Sequence, residues 1–247
     1  MKIQFVLLAA VPVVGLFLNS DAIAAKKRVV VWSEKTAPTN VYPNDINGAV
    51  GEALKSLKDW EVVLANIDQP DQGINDELLN KTDVLVWWGH KRHDNVSDDL
   101  VRRIAKRVKE DGMGFVSLHS SHFAKPNKVL MGTPCTWGAY VVDANVTITV
   151  SDPNHPICKG VARSFDLGLT ERYGEPYAVP TPQAAPLECV YKFKDGHTEK
   201  ARQGFCWTIG KGKMFYFQTG HETCTHYFEP NVQQILRNAV EWAAPQK

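Results

Sequence analysis

Six of the eight histidines lie at or just beyond the ends of hydrophobic, strand-like runs. These are His90, His93, His119, His122, His221 and His226. They follow three separate runs, at residues 84–89, 114–118 and 214–220. In an open parallel α/β sheet, ligands bind in the crevice outside the carboxyl ends of the strands. The sequence therefore predicts one site at that edge of a sheet, built largely from imidazoles.

One of these strand ends has the spacing of a nucleophile elbow. Residues 117–121 read Ser-Leu-His-Ser-Ser, so small side chains flank His119 two places away on each side. An elbow is a sharp strand-to-helix turn that exposes its central side chain at the edge of the sheet. Because that residue is histidine, we expect a base, an acid or a ligand rather than a covalent nucleophile. The structural alternative is an ordinary strand end with a surface histidine.

The pairs His90-x-x-His93 and His119-x-x-His122 have spacings that can hold a metal ion. Imidazole is a common zinc ligand, and catalytic zinc sites use three protein ligands and keep one open position. We therefore consider His90, His93 and His122 as ligands of a divalent metal such as zinc. The H-x-x-H spacing alone is a weak signal, and orienting roles for these histidines stay open. No nucleotide cofactor is expected.

Carboxylates and aromatic rings accompany the histidines. Glu34 follows the first strand-like run, so it should reach the same edge of the sheet. Glu175 lies close to Glu171 in a Gly-Pro segment interpreted as a loop, where it is a candidate general acid or base. A solvated loop acid is the alternative for Glu175. The candidate substrate contacts are Trp88, Ser120, Trp137 and Tyr173.

The order of the hydrophobic patterns predicts an α/β fold. Short β-branched runs alternate with helical patterns in the first half, as in βαβ units. The strand-like runs lie at residues 28–32, 61–65, 82–88 and 114–118, and the helical patterns at 46–57 and 97–112. Beyond Gly132 the strands alternate polar and apolar residues, and residues 232–242 form a closing amphipathic helix. We predict a three-layer sandwich with a mainly parallel, flavodoxin-like central sheet and an antiparallel extension.

The first 24 residues have the pattern of a signal peptide. Lys2 precedes an apolar stretch from Phe5 to Leu18, and Ala22-Ile23-Ala24 has the small-x-small form of a cleavage site. An uncleaved anchor is the alternative, but the stretch is short for a bilayer. We expect an exported, periplasmic or extracellular protein whose residues 25–247 form one domain without a membrane span.

Charge and cysteine content exclude several other classes. Lysine plus arginine number 28 and aspartate plus glutamate 27, so nucleic acid is not an expected partner. Five cysteines without a C-x-x-C pair indicate neither a zinc ribbon nor a thioredoxin-type site. Buried thiols are the simplest interpretation, although up to two disulfides are allowed by the count.

Six stretches together resemble the ThuA-like (trehalose utilisation) family. They are Val84–Asp94 (VLVWWGHKRHD), Gly112–Phe123 (GMGFVSLHSSHF), Met131–Trp137 (MGTPCTW), His155–Gly160 (HPICKG), Glu171–Pro176 (ERYGEP) and Met214–Glu222 (MFYFQTGHE). The resemblance implies a fold similar to class I glutamine amidotransferases. In those enzymes the elbow bears cysteine, whereas His119 occupies it here, so amidotransferase chemistry is not expected.

The resemblance also implies a role in sugar metabolism, on trehalose and other disaccharides or on 3-keto-glycosides made by a companion sugar dehydrogenase. The positions that match the family are Glu34, His90, His93, His119, His122, Glu175 and His221. The chain departs from similar members at residues 35–38, Lys-Thr-Ala-Pro, where they tend to carry a further histidine and acid. A ligand from that loop is therefore not expected.

This resemblance leads to a hypothesis about mechanism. A ketone at C3 of a sugar acidifies the neighbouring C–H, so a base can start isomerisation or elimination of the glycosidic oxygen while a metal or second histidine stabilises the enolate. We assign proton transfer to His119 and His221, with Glu34 and Glu175 as further catalytic candidates. Two alternatives stay open: a non-catalytic carbohydrate-binding protein, and a cysteine hydrolase acting through Cys135.

Overall fold

The computed structural model describes residue 1 and residues 26–246, without the side chains of residues 142 and 143. The signal peptide predicted at residues 1–24 falls outside this range, apart from residue 1. Within the described range, no helix combines the length and apolar character needed to cross a membrane.

Nine strands of the described chain form one mixed sheet, in the order β2-β1-β3-β4-β9-β8-β7-β5-β6. The strands are β1 (Lys27–Ser33), β2 (Trp60–Asn66), β3 (Val84–Trp88), β4 (Gly114–Leu118), β5 (Trp137–Val150), β6 (Ser164–Tyr177), β7 (Ala184–Lys192), β8 (Thr198–Ile209) and β9 (Gly212–Phe217). The α-helices are α1 (Asp45–Leu54), α2 (Asp76–Asn80), α3 (Asp98–Asp111), α4 (Lys125–Met131) and α5 (Pro230–Ala243).

The first half of the sheet is parallel and covered by helices on both faces. Its order, β2-β1-β3-β4-β9, is the flavodoxin-like order 2-1-3-4-5. Along β1, Val29 and Val31 pack with α1 and α5, whereas Val30 and Trp32 pack with α2, α3 and α4. This alternation on a strand buried on both faces explains its continuous apolar run. The predicted α/β three-layer sandwich is confirmed.

The second half of the sheet is antiparallel, and it is as extensive as the first. Strands β9, β8, β7, β5 and β6 are joined by four antiparallel pairings, against four parallel pairings in the first half. The expectation of a mainly parallel sheet is therefore not confirmed, because the extension is larger than the sequence indicated.

The main element that the sequence analysis missed is β6. Residues 171–176 were interpreted as a loop, but they lie in a strand of 14 residues that pairs with β5. Gly168, Gly174 and Pro176 obscure the alternating pattern, and the β5–β6 pairing has three register shifts. Since successive side chains in a strand point to opposite faces, Glu171 and Tyr173 emerge on one face.

Candidate functional site

Three neighbouring strands deliver histidines to one edge of the sheet, as predicted. Strand β3 pairs with β4, and β4 pairs with β9, so their carboxyl ends lie side by side. A cavity of about 470 Å³ opens at this edge. It is lined by His90, His93, Asp94, Ser120, Phe123, Lys128, Tyr140, Glu171 and Tyr173. Its volume is in the range that holds small-molecule ligands.

His119 occupies the predicted elbow. Strand β4 ends at Leu118, and His119 has a φ of 51°, in the left-handed region that non-glycine residues seldom adopt. Its ring is fully buried. The Nδ1–H donates to the Gln218 carbonyl at 2.8 Å, while Nε2 lies 3.1 Å from Oε2 of Glu171. Both nitrogens thus face acceptors, which leaves neither nitrogen for a substrate.

Glu171 connects this histidine to the cavity wall. The Tyr173 hydroxyl donates to Oε2 of Glu171 at 2.8 Å, and the Ser120 hydroxyl lies 2.8 Å from the Tyr173 oxygen. Burial raises the pKa of Glu171, but the hydrogen bond and charge of His119 outweigh that effect and bring the pKa to about 2. Glu171 is therefore an ionised carboxylate at neutral pH.

His90 forms a second imidazole–carboxylate pair. Its Nδ1 hydrogen-bonds to Glu222, a buried carboxylate that also pairs with the Lys91 ammonium. Burial raises the pKa of Glu222, but the hydrogen bonds from His90 and Lys91 outweigh burial and lower it. An ionised carboxylate on Nδ1 holds the proton there, so Nε2 of His90 carries the lone pair in the neutral ring.

Glu34 fixes the loop that carries these histidines. One of its carboxylate oxygens accepts the backbone N–H groups of His90, Lys91 and Arg92 at 2.7–2.8 Å. The other lies 3.3 Å from Nδ1 of His93, an ionic contact that is not aligned as a hydrogen bond. Burial raises the pKa of Glu34, and the contacts with His93 and the loop lower it further than burial raises it.

His221 completes a triangle of imidazoles. Its ring centroid lies 4.8 Å from that of His90 and 5.4 Å from that of His119. Its Nδ1 accepts the Thr223 backbone N–H at 3.2 Å, so the ring proton is on Nε2, which lies 4.0 Å from Oε2 of Glu171. Burial and the nearby charge of His119 lower the pKa of His221 to about 4. His221 is therefore a neutral imidazole that presents an N–H donor.

A buried polar network joins the two halves of the sheet beneath the site. The Gln218 amide donates to the Tyr173 carbonyl on β6 at 2.6 Å, and its backbone carbonyl accepts from His119. Tyr191 and Gln203 both donate to the Gln218 side-chain oxygen and so fix its orientation. Gln218 thereby holds β6 in register with the elbow.

Several predicted site residues lie elsewhere. Glu175 makes a two-pronged pair with Arg202, at 2.8 and 2.9 Å, rather than contacting the histidines. Trp88 is buried and donates to the Gly220 carbonyl, which makes it a core residue. Trp137 stacks on Tyr177 with centroids 4.1 Å apart and does not line the cavity. Tyr173 and Ser120 do line it.

His122 lies below the site. Its Nδ1 donates to the His119 carbonyl at 3.1 Å, and its buried Nε2 has no hydrogen-bond partner among the described residues. Burial lowers the pKa of His122 to about 3. His226 likewise donates from Nε2 to two carbonyls of β6. Neither ring joins the triangle of His90, His119 and His221.

No role for Glu222 or Gln218 was predicted from sequence. Glu175, rather than Glu171, was predicted to be the general acid or base. Gln218 lies within the third hydrophobic run, at residues 214–220, and Glu222 lies just beyond it. The sequence signal for Glu222 was its place directly after His221, beyond the end of β9. Glu34 likewise lies beyond the end of a strand, β1. For Glu171 the alternation with Tyr173 was available, but it has meaning only once β6 is known to be a strand.

Cys135 does not have the environment of a nucleophile. It is buried against Asn127 and Thr133, and burial raises the pKa of its thiol, which favours the unreactive protonated form. All five cysteines are free. The geometry therefore does not favour a cysteine hydrolase.

Comparison with known proteins identifies the family. A family model described as trehalose utilisation, ThuA, matches residues 28–243. The chain belongs to the ThuA family. Membership in this family indicates a carbohydrate-related role. A search of curated proteins finds no match.

Solved structures of ThuA-like proteins share the fold. One from Parabacteroides merdae superposes with a TM-score of 0.65 at 15% identity, covering 90% of this chain and 92% of its own. Another, from Bacteroides uniformis, gives a TM-score of 0.63 at 15% identity, with 90% and 93% covered. A cytoplasmic protein of Salmonella typhimurium gives 0.57 at 14% identity, with 88% and 99% covered. At these identities the likeness concerns the fold alone.

Among the residues that the structure describes, one group of side chains at this site is suited to a metal ion. It is His90, Glu171 and His221, whose ligand atoms lie within 4.8 Å of one another. Two imidazoles, one carboxylate and a carboxylate behind His90 are donor types that zinc sites use. The Thr223 backbone N–H places the ring proton of His221 on Nε2, so coordination by that nitrogen would require the proton to move to Nδ1, where the Thr223 hydroxyl at 2.8 Å can accept it. We therefore assign no chemical step to a metal.

Zinc titration distinguishes this group from the set predicted from sequence. We expect zinc added to the protein to bind through His90, Glu171 and His221, and to bind more weakly in acid because imidazole and carboxylate ligands coordinate only in their deprotonated forms. His221→Ala should lower the affinity at least tenfold, whereas His122→Gln should leave it unchanged. Isothermal titration calorimetry measures both. An equal loss in the two variants would contradict the assignment.

His122 should make the stability of the fold sensitive to acid. Its pKa is about 3 when folded and ordinarily 6.5, so the unfolded chain binds the proton first as pH falls. The stability it contributes is complete above pH 6.5 and decreases below it, by about 2 kcal/mol at pH 5. His122→Gln should remove this contribution to the acid-induced decrease in the free energy of unfolding. Urea denaturation at pH 5 and at a pH above 6.5 measures the decrease in both proteins. An unchanged decrease in the variant would show that His122 is not held neutral. The exposed His197→Gln is the matched control.

Proposed function

We propose that this ThuA-family protein catalyses proton transfer on a keto sugar, namely a 3-keto-disaccharide or 3-keto-glycoside. The observation that carries the proposal is the set of three imidazole–carboxylate pairs at one sheet edge. They are His90–Glu222, His93–Glu34 and His119–Glu171. Imidazoles held by buried carboxylates are suited to acid/base chemistry next to a carbonyl.

His90 is the base in this proposal. Its Nδ1 is held by Glu222, so Nε2 is the nitrogen available to a substrate in the cavity that His90 lines. The carboxylate fixes the tautomer and stabilises the imidazolium once the proton arrives, as the aspartate does for histidine in the Ser-His-Asp template. The proton comes from C2 of the sugar, which is acidified by the C3 ketone.

His221 stabilises the product of that step, because its partly buried ring lies beside the cavity, 4.8 Å from the ring of His90, which lines it. Its neutral Nε2–H is a donor for the developing enolate oxygen, and a pKa of about 4 keeps the ring uncharged at neutral pH. The enolate then has two outcomes. Delivery of the proton to the opposite face of C2 completes an isomerisation at that carbon, whereas expulsion of the oxygen at C1, which takes up a proton, leaves a C1–C2 double bond and a free aglycone.

His119 positions the site rather than touching the substrate, which revises its assignment from the sequence. Its ring is buried and engaged at both nitrogens. Its charge keeps Glu171 ionised, and Glu171 with Tyr173 and Ser120 forms a hydrogen-bonded wall for sugar hydroxyls. Glu34 is also a positioning residue, because it holds the loop that carries His90 and His93.

The test of the proposed reaction is NMR analysis of products from a panel of 3-keto-glycosides. We expect turnover by the wild type and a fall of at least 100-fold in kcat for His90→Ala and Glu222→Gln, because each removes the oriented base. His197→Gln, at an exposed hairpin tip, is the control. Wild-type activity in Glu222→Gln, with the fold verified by circular dichroism, would contradict the role of the pair.

A non-catalytic carbohydrate-binding protein is the second candidate, since Phe123, Tyr140 and Tyr173 give the cavity aromatic surfaces. It predicts calorimetric binding of keto-glycosides that His90→Ala leaves unchanged, with no product. The proposal has two further parts. The protein is exported to the periplasm or beyond, and a companion sugar dehydrogenase supplies the ketone. Proteolytic mapping of the mature N-terminus in the native host tests export.

A further inference from the structure

The cavity changes character from its floor to its mouth. The polar side chains of the floor are almost inaccessible, with Ser120 exposed by 2% and Tyr173 by 5%. At the mouth, Phe123 is exposed by 38% and Tyr140 by 71%. Asp94 and Lys128 also lie at the mouth and are exposed.

The backbone connects Phe123 and Tyr140, at the mouth, with Ser120 and Tyr173, at the floor. Tyr140 pairs with Tyr173 across the β5–β6 ladder, so both side chains emerge on the same face. Phe123 ends the short helical segment that begins at His119 and contains Ser120. The aromatic mouth is therefore the outward continuation of the wall that would bind sugar hydroxyls.

Exposed apolar residues scattered singly are normal and need no explanation. These two differ because they line the same cavity as His90 and Glu171. The volume of about 470 Å³ is also that of a pocket for a drug-sized ligand, larger than one hexose. A keto sugar seated at the floor leaves the mouth for the group attached to its anomeric oxygen.

We propose that Phe123 and Tyr140 form an aglycone subsite that takes a ring with a flat apolar face. This inference rests on the proposed function. It assigns the sugar that reacts to the polar floor and the group that leaves to the aromatic mouth. The aromatic faces gain from stacking and from removal of apolar surface from water. An aryl ring and the C–H face of a second pyranose both offer that chemistry.

The test compares methyl 3-keto-glucoside, phenyl 3-keto-glucoside and 3-keto-trehalose as substrates. For the wild type we expect kcat/KM at least tenfold higher with a ring aglycone than with methyl. The Phe123→Ala/Tyr140→Ala double variant should lose that preference and keep its activity on the methyl glycoside. Tyr140→Phe, which keeps the ring, should retain the preference, and the exposed Val129→Ala is the control outside the cavity. The phenyl and trehalose arms tell which kind of ring is accepted.

Equal kcat/KM for methyl and ring glycosides in the wild type would overturn the subsite, as would an equal loss on both in the double variant. If none of the three is turned over, the proposed reaction fails separately from the subsite. In that case, the affinities of phenyl glucoside and methyl glucoside, measured by calorimetry, test the subsite. Tighter binding of the phenyl compound that the double variant abolishes supports the subsite, and equal binding overturns it.

Discussion

The site depends on one constraint: a carboxylate removed from water must be paired. Glu34, Glu171 and Glu222 are largely or fully withdrawn from solvent, and burial alone would raise the pKa of each. An unpaired charge in such a place costs several kcal/mol. Each carboxylate instead faces an imidazole, and each keeps its charge. The pairing decides the tautomers of the histidines, and the tautomers decide which nitrogen can meet a substrate.

Each half of the sheet contributes different residues to these imidazole–carboxylate pairs. The parallel half supplies the ends of β1, β3, β4 and β9, where Glu34, most of the histidines and Glu222 lie. The antiparallel half contributes β6, whose Glu171 and Tyr173 close the remaining side. Gln218 links the halves, since one residue holds both the elbow and β6. A flavodoxin-like sheet alone would supply the histidines without the carboxylate that pairs with His119.

Much of this was accessible from sequence and some was not. The edge shared by His90, His119 and His221 followed from hydrophobic runs and the geometry of parallel strands, and so did the elbow at His119. The choice of Glu175 over Glu171 failed because glycines and a proline hid a strand, and strand alternation is what separates the two residues. The partners of each imidazole were beyond reach for another reason. Glu222 lies 132 positions from His90 along the chain, and only the folded sheet brings them together.

The central claim is that buried hydrogen bonds, to Glu222 at His90, to the Gln218 carbonyl at His119 and to Thr223 at His221, fix the tautomers of the site histidines. The ¹⁵N NMR spectrum of the histidine side chains tests this claim most directly. We predict that His221 is neutral at neutral pH with its proton on Nε2, and that Nδ1 of both His90 and His119 carries a proton, hydrogen-bonded to Glu222 and to the Gln218 carbonyl respectively. In Glu222→Gln the His90 signals should change while those of His119 stay the same. A His90 ring protonated on Nε2 alone in the wild type would contradict the account.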